Sequence, residues 1–110
     1  MNCVFCKIIN KEIPCDPIHE DEELIVFKDI NPKAKHHLLI VSKEHIASVN
    51  ELDETKIQLA GKMIHRAKET AKSLGFADSG YKLIFNCGRD GGQVVNHLHL
   101  HLLGGEPLGT

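Results

Sequence analysis

His97-Leu98-His99-Leu100-His101-Leu102-Leu103 alternates imidazole and leucine without a break. Side chains on a β-strand repeat every two residues, so this spacing predicts three imidazoles on one face and Leu98, Leu100 and Leu102 on the other. On a helix the same spacing would scatter the histidines around the axis. The leucine face can bury against a helix, which leaves a row of imidazoles about 7 Å apart on the opposite side. With an unperturbed pKa of about 6.5, imidazole supplies both a neutral nucleophile and a protonated donor near physiological pH. Attack on phosphorus would give a phosphoryl-histidine whose P–N bond water can cleave. Paired histidines on a strand also suit metal ligation. Spacing alone leaves these two readings level.

Directly upstream, Gly88-Arg89-Asp90-Gly91-Gly92-Gln93 carries the glycines needed to turn main-chain N–H groups toward an anion. Alone, such a loop is an ordinary hairpin turn. Placed before three alternating histidines, it is hard to explain as packing, because buried imidazoles need partners, and it could supply donors for a phosphate.

The rest of the chain predicts the layer that buries the leucines. Residues 5–12 suit a short helix ending before Pro14. A first strand near 17–19, an acidic turn at 20–23 and Leu24-Ile25-Val26-Phe27 read as a hairpin. Asn31-Pro32-Lys33-Ala34 is a loop by its turn chemistry, and Leu38-Leu39-Ile40-Val41 a central strand. Asp53 is placed to cap a long helix in which Ile57, Ala60, Ile64, Ala67, Ala71 and Leu74 form the apolar stripe, with Gly75 as its stop. Residues 81–86 read as a strand and 94–103 as the last one. The expected class is α+β: an antiparallel sheet of about five strands packed by one long helix and a short N-terminal helix.

At 110 residues one domain spanning 1–110 is expected. The formal net charge of −2 provides no basic field for a nucleic-acid backbone, so any phosphate must be held by local groups. No apolar run approaches the roughly 20 residues of a membrane span, and no secretory pattern opens the chain, so a cytoplasmic location is expected. The 4 cysteines are then read as thiols. Cys15 and Cys87 are expected to pack as small apolar residues, while Cys3-x-x-Cys6 has zinc-ligand spacing but supplies only half of a closed site. His19, His36 and His65 are read as surface or helix-face residues.

Gly91 to Gly105, spanning Gly-Gly-Gln-Val-Val-Asn-His-Leu-His-Leu-His-Leu-Leu-Gly-Gly, resembles the signature of the histidine-triad (HIT) superfamily, and its trailing Gly104-Gly105 resembles the Hint branch. The resemblance extends over Phe5–Ile9, Lys11–Pro14, Phe27–Pro32 and His37–Val41. It implies a purine nucleoside phosphoramidase or nucleotidyl hydrolase acting as a homodimer, with no organic cofactor. By position His99 matches the nucleophile, and His101 and His37 match histidines that contact the phosphate and handle protons. Asn86, Gly92, Gln93 and the amides of Val94 and Val95 match the phosphate cradle. Asp29 matches the carboxylate that grips the ribose hydroxyls, and Val4, Phe5, Ile8, Phe27 and Ile30 match the slot for the base. In zinc-bearing relatives His45 and His97 complete a structural Cys2His2 site with Cys3 and Cys6. Val94 departs from the Hint pattern, which commonly carries a hydroxyl there. A dinucleoside polyphosphate hydrolase, a regulatory nucleotide-binding dimer and a metallohydrolase are the alternative functions.

Overall fold

The computed structural model describes residues 3–109. Its elements run α1 (Val4–Ile9), β1 (His19–Glu20), β2 (Leu24–Lys28), β3 (His36–Ser42), a 3-10 turn (Val49–Glu51), α2 (Ile57–Ser73), β4 (Tyr81–Ile84) and β5 (His99–Gly104). The strands form one antiparallel sheet in the order β1-β2-β3-β5-β4. The histidine strand therefore lies inside the sheet, between β3 and β4.

Alternation divides the sheet into two faces. Leu24 and Val26 on β2, Leu38 and Ile40 on β3, and Leu98, Leu100 and Leu102 at and along β5 share a core with Met63, Ala67 and Ala71 of α2. On the reverse face Ile25, Phe27, Leu39 and Val41 pack with Cys3 and Phe5 at the start of the chain. The ladder pairs Leu39 with His101 and Val41 with His99, which seats those imidazoles on this second face. The long helix takes the leucines and the short helix sits on the side of the imidazoles.

Several boundaries differ from the sequence expectation. The first helix ends at Ile9 rather than residue 12, because Lys11 turns to positive φ (64°) and breaks the helical path. The first strand lies at 19–20 rather than 17–19, and β4 stops at Ile84 rather than 86. Asp53 does not cap α2. Its carboxylate closes a local turn by accepting from the Thr55 amide at 2.9 Å and hydroxyl at 2.6 Å, and the helix begins at Ile57. The buried stripe is Met63, Ala67, Thr70 and Ala71, while Ile57 and Ile64 are exposed. Thr70 tolerates burial because its hydroxyl donates to the Arg66 carbonyl at 2.8 Å, and the small alanines bring the helix close to the sheet. Gly75 does supply the left-handed stop (φ 88°). Cys15 is exposed and Cys87 half-buried, so neither packs as a core residue.

Gly104 matters for packing. A Cβ there would fall 2.5 Å from the Phe76 ring, which itself stacks on His36 at 4.6 Å between centroids. Gly104→Ala is expected to cost about 1–3 kcal/mol by overpacking and to lower Tm by roughly 5–15 °C, read by thermal denaturation. An unchanged Tm would mean that the ring pair moves aside freely.

Candidate active site and metal cluster

The backbone leaves strand geometry just before β5, and that bend separates the roles of the three histidines. His97 N–H turns back to the Val95 carbonyl (2.9 Å) and Leu98 N–H bonds Ile46 (2.6 Å), so the ladder starts only at His99. The expected strand from residue 94 is therefore five residues shorter at its start. His97 is fully buried and groups with Cys3, Cys6 and His45, while the His101 ring groups with Asp29 and His37.

Ring polarity follows from the backbone groups behind each imidazole. A carbonyl can only accept, so the ring nitrogen against it carries hydrogen. His97 Nε2–H donates to the Ser42 carbonyl at 2.6 Å, which leaves the Nδ1 lone pair pointing at the two sulfurs. His99 Nδ1–H donates to the His97 carbonyl at 2.6 Å, which leaves Nε2 as its free lone pair. His99 is 7 % exposed, with the Phe5 ring edge-on against it at 5.1 Å. Its ring lies 5.0 Å from that of His101. At His37 the backbone group is a donor: Lys33 N–H bonds Nδ1 at 3.1 Å. His37 Nε2–H then donates to His101 Nδ1 at 2.9 Å, so the remaining hydrogen of His101 is on Nε2. The Asp29 carboxylate lies 3.5 Å from His37 Nε2.

Burial lowers the pKa of His101 to about 4, assisted by the neighbouring His99 and His37. Burial also lowers His37 and His97, opposed by Asp29 at the first and by the Ser42 carbonyl at the second. All three rings are held neutral near pH 7. Below the unfolded value of about 6.5 the unfolded chain takes up protons that the fold refuses, so stability is full above that pH and is lost as pH falls toward 4. His101 alone contributes on the order of 2–3 kcal/mol of this loss. Denaturant melts between about pH 7 and about pH 4.5 check it, with a shallower decline expected for His101→Gln.

The glycine loop is braced by its own side chains. Gln93 Oε1 accepts from the Gly88 amide at 2.8 Å, and its Nε2 donates to the carbonyls of Ala47 (2.7 Å) and Val95 (3.0 Å). Gln93 N–H bonds the Gly88 carbonyl at 3.0 Å and Gly92 N–H that of Arg89. Gln93 and Gly92 therefore shape the loop, and the Gln93 side chain also ties it to Ala47 and Val95. Asn86 Nδ2 donates to the Gly91 carbonyl at 2.8 Å. Among the described residues the amides of Val94 and Val95 find no partner in the fold, and they stand directly before the histidine strand.

Phe5, Ile8 and Phe27 come together on the imidazole face, with Phe5 and Phe27 edge-to-face at 5.6 Å. Val4 is exposed on α1, and Ile30 and Val94 are each 91 % exposed, so these three project from the site rather than into its floor. Asp29 lies where β2 ends, with one oxygen taking the Asn31 amide at 2.8 Å. The fold adds three groups that the sequence did not single out: the Ser42 carbonyl, the Lys33 amide and the Ala47 carbonyl. Each is a main-chain atom, whose use no side-chain pattern announces.

Cys3, Cys6, His45 and His97 gather from three places in the chain. Their sulfurs and Nδ1 atoms lie within 4.8 Å of one another and could hold a metal ion. Sulfur–nitrogen separations are 3.3 Å (Cys3–His97), 3.2 Å (Cys6–His45) and 3.6 Å (Cys6–His97), and the two nitrogens are 3.1 Å apart. Cys3 also caps α1, accepting from the Cys6 amide at 3.4 Å. Asp29, His37 and His101 form a second group of potential ligands. Among the described residues no helix is long and apolar enough to cross a membrane.

Residues 2–107 match the family model described as "Scavenger mRNA decapping enzyme C-term binding". The chain is 45 % identical over 106 residues to the purine nucleoside phosphoramidase of Escherichia coli K12, covering 96 % of this chain and 89 % of the relative. It is 47 % identical over 103 residues to protein HitA of Neisseria gonorrhoeae, covering 94 % and 95 %. A histidine triad protein from Clostridium difficile superposes with a TM-score of 0.96 at 40 % identity, covering 100 % of this chain and 96 % of the other. A HIT family hydrolase from Legionella pneumophila superposes at 0.95 with 44 % identity, covering 98 % and 96 %. A zinc-bound histidine triad family protein from Mycobacterium smegmatis superposes at 0.81 with 28 % identity, covering 94 % and 75 %.

Proposed function

Since the chain belongs to the histidine-triad family of nucleotide hydrolases, we propose that it cleaves purine nucleoside phosphoramidates at the α-phosphorus through a nucleotidyl-His99 intermediate. The observation that carries this reading is the polarity of His99. Its Nδ1–H is tied to a carbonyl, its only lone pair is on Nε2, and its ring shares a face with His101 on the strand that follows two unpartnered amides. A neutral ring nitrogen held in one tautomer by a backbone acceptor is a prepared nucleophile.

Each neighbouring group has a part in the displacement. Nε2 forms the bond to phosphorus while the bond to the amine breaks, and water later cleaves the P–N bond to release the mononucleotide. The amides of Val94 and Val95 take the charge on the non-bridging oxygens, with Asn86 beside them. His101 Nε2–H donates toward the phosphate or the departing nitrogen, oriented by His37. Asp29 accepts the ribose hydroxyls, and Phe5, Ile8 and Phe27 floor the base slot. The 45 % identity to a phosphoramidase supports an amine over a nucleotide as leaving group. A homodimer in the cytoplasm, built on a single domain, completes the proposal.

The cysteine–histidine cluster fits zinc. Tetrahedral zinc with Zn–S near 2.3 Å and Zn–N near 2.0–2.1 Å requires S–N separations of about 3.5 Å and an N–N separation of about 3.3 Å, close to those of the cluster. The donor set is fully aimed: His97 keeps its Nδ1 lone pair inward because Nε2 is bound to Ser42. Zinc there would tie α1 to the histidine strand as a structural clamp, and it enters no step of the displacement.

Intact-mass spectrometry after mixing with a slowly turned-over adenosine phosphoramidate tests the reading. The expected result is a transient addition of one adenylyl group that disappears as amine and mononucleotide accumulate. Preferential turnover of diadenosine polyphosphates over phosphoramidates would overturn the leaving-group assignment.

A further inference from the structure

The main-chain atom behind the ring gives His97 and His37 opposite polarities. His97 has a carbonyl behind it, so hydrogen stays on that side and the inward nitrogen is a lone pair. His37 has the opposite partner, the Lys33 amide 3.1 Å from Nδ1. An amide cannot accept, so a neutral His37 must keep its hydrogen on Nε2, pointing into the group formed with His101 and Asp29. Ligation through Nε2 would move that hydrogen to Nδ1 and set two N–H groups against each other.

We propose that the Lys33 backbone amide is a positioning group that commits His37 to its Nε2–H tautomer, thereby keeping divalent transition metals out of the Asp29–His37–His101 cluster and turning the Nε2–H of His101 toward the bound phosphate. Side-chain chemistry alone would make that cluster a competent metal site: two imidazoles and a carboxylate with potential ligand atoms within 4.8 Å of one another. Besides its smaller donor set, without thiols, it differs from the Cys3–Cys6–His45–His97 cluster in the direction of the main-chain hydrogen bond behind its histidine. The resulting chain of donors is continuous, from Lys33 N–H to His37 Nδ1, from His37 Nε2–H to His101 Nδ1, and outward from His101 Nε2–H. The loop that presents Lys33 begins at Asp29, whose Oδ1 is held by the Asn31 amide at 2.8 Å. The same loop thus places the carboxylate and sets the tautomer. The tautomer and the exclusion of metal stand on geometry alone; the orientation of His101 toward phosphate rests on the function proposed above.

The test uses the whole chain with its cysteine–histidine cluster loaded with zinc. Imidazole 15N spectra of the protein are expected to show His37 unprotonated at Nδ1 and protonated at Nε2, and titration with Co2+ is expected to add no second ion. Replacing Lys33 by its α-hydroxy analogue through chemical synthesis exchanges the amide for an ester and deletes the donor alone. That protein is expected to bind one further Co2+ with a visible d–d spectrum, and its kcat/KM to fall about tenfold. Lys33→Ala keeps the amide and is expected to keep the tautomer. A His37 protonated at Nδ1, or one Co2+ bound beside the zinc in the unaltered protein that His37→Gln removes, would overturn the proposal. Should the ester protein fail to fold, the spectra of the unaltered chain decide alone. Failure of the phosphoryl-transfer reading would show instead as a missing His99 adduct, with spectra and Co2+ stoichiometry unaffected.

Discussion

His99→Ala is expected to reduce turnover by at least about 10⁴-fold and to eliminate the nucleotidyl adduct. Alanine removes the free Nε2 lone pair, the nucleophile of the proposed displacement, and leaves the backbone of the site in place. The free amides of Val94 and Val95 belong to the backbone, Asp29 is anchored by Asn31, and Phe5 loses its edge contact with the His99 ring but keeps those with Phe27 at 5.6 Å and His97 at 5.8 Å. Nucleotide affinity should therefore change by only a few-fold, measured by calorimetry with the mononucleotide product. Pairing the two measurements separates chemistry from binding, because a collapsed site would lose both together. His99→Ala protein that still forms an adduct would transfer the nucleophile to His101, the only neighbouring ring on the same strand face. The reverse substitution distinguishes the roles further: His101→Ala removes a donor rather than the nucleophile and should slow turnover by about 10²–10³-fold while an adduct still forms.

The second large effect concerns stability. Stripping the metal with a strong chelator, or replacing Cys3 and Cys6 by serine, is expected to cost on the order of 3–5 kcal/mol and to lower Tm by about 10–20 °C. This is well below the roughly 10–16 kcal/mol of a zinc finger, because the leucine face of the sheet and α2 form their own core without the cluster. The loss is concentrated at α1. That helix has only six residues, is capped by Cys3 and is held to the sheet through Phe5 and the cluster. Since α1 also carries Phe5 and Ile8, nucleotide affinity should weaken alongside stability while the His99 adduct persists at low temperature. A Tm indifferent to chelation would show that the four side chains hold no structural ion.

Much of the site was legible because it repeats with the strand period. His99 and His101 follow from alternation with Leu98, Leu100 and Leu102, and the sheet buries those leucines against α2 as the spacing requires. His37 entered the reading through family resemblance, since nothing local distinguishes it from His36, which stacks on Phe76 instead. The helix stripe was half right: Ala67 and Ala71 are buried, but Met63 and Thr70 complete the face in place of Ile57 and Ile64. Hydrophobicity cannot anticipate a threonine that buries by bonding its own helix, nor an acidic residue that spends its cap on a nearer threonine. Gln93 marks a similar limit. Its position suggested a phosphate donor, yet the fold spends both ends of its amide on the loop and on Ala47, a neighbour distant in the chain.

Alternation and composition alone determined the class of fold, the leucine-buried strand and the pairing of His99 with His101 on one face, because side-chain period and burial are local consequences of residue order. Tertiary structure alone decided how each imidazole is polarised. The nitrogen that carries hydrogen is dictated by a carbonyl at Ser42, a carbonyl at His97 and an amide at Lys33, and two of these three atoms lie dozens of residues from the ring they polarise or across a loop from it. Main-chain donors and acceptors are identical at every position of a sequence; only folding gives each of them a direction.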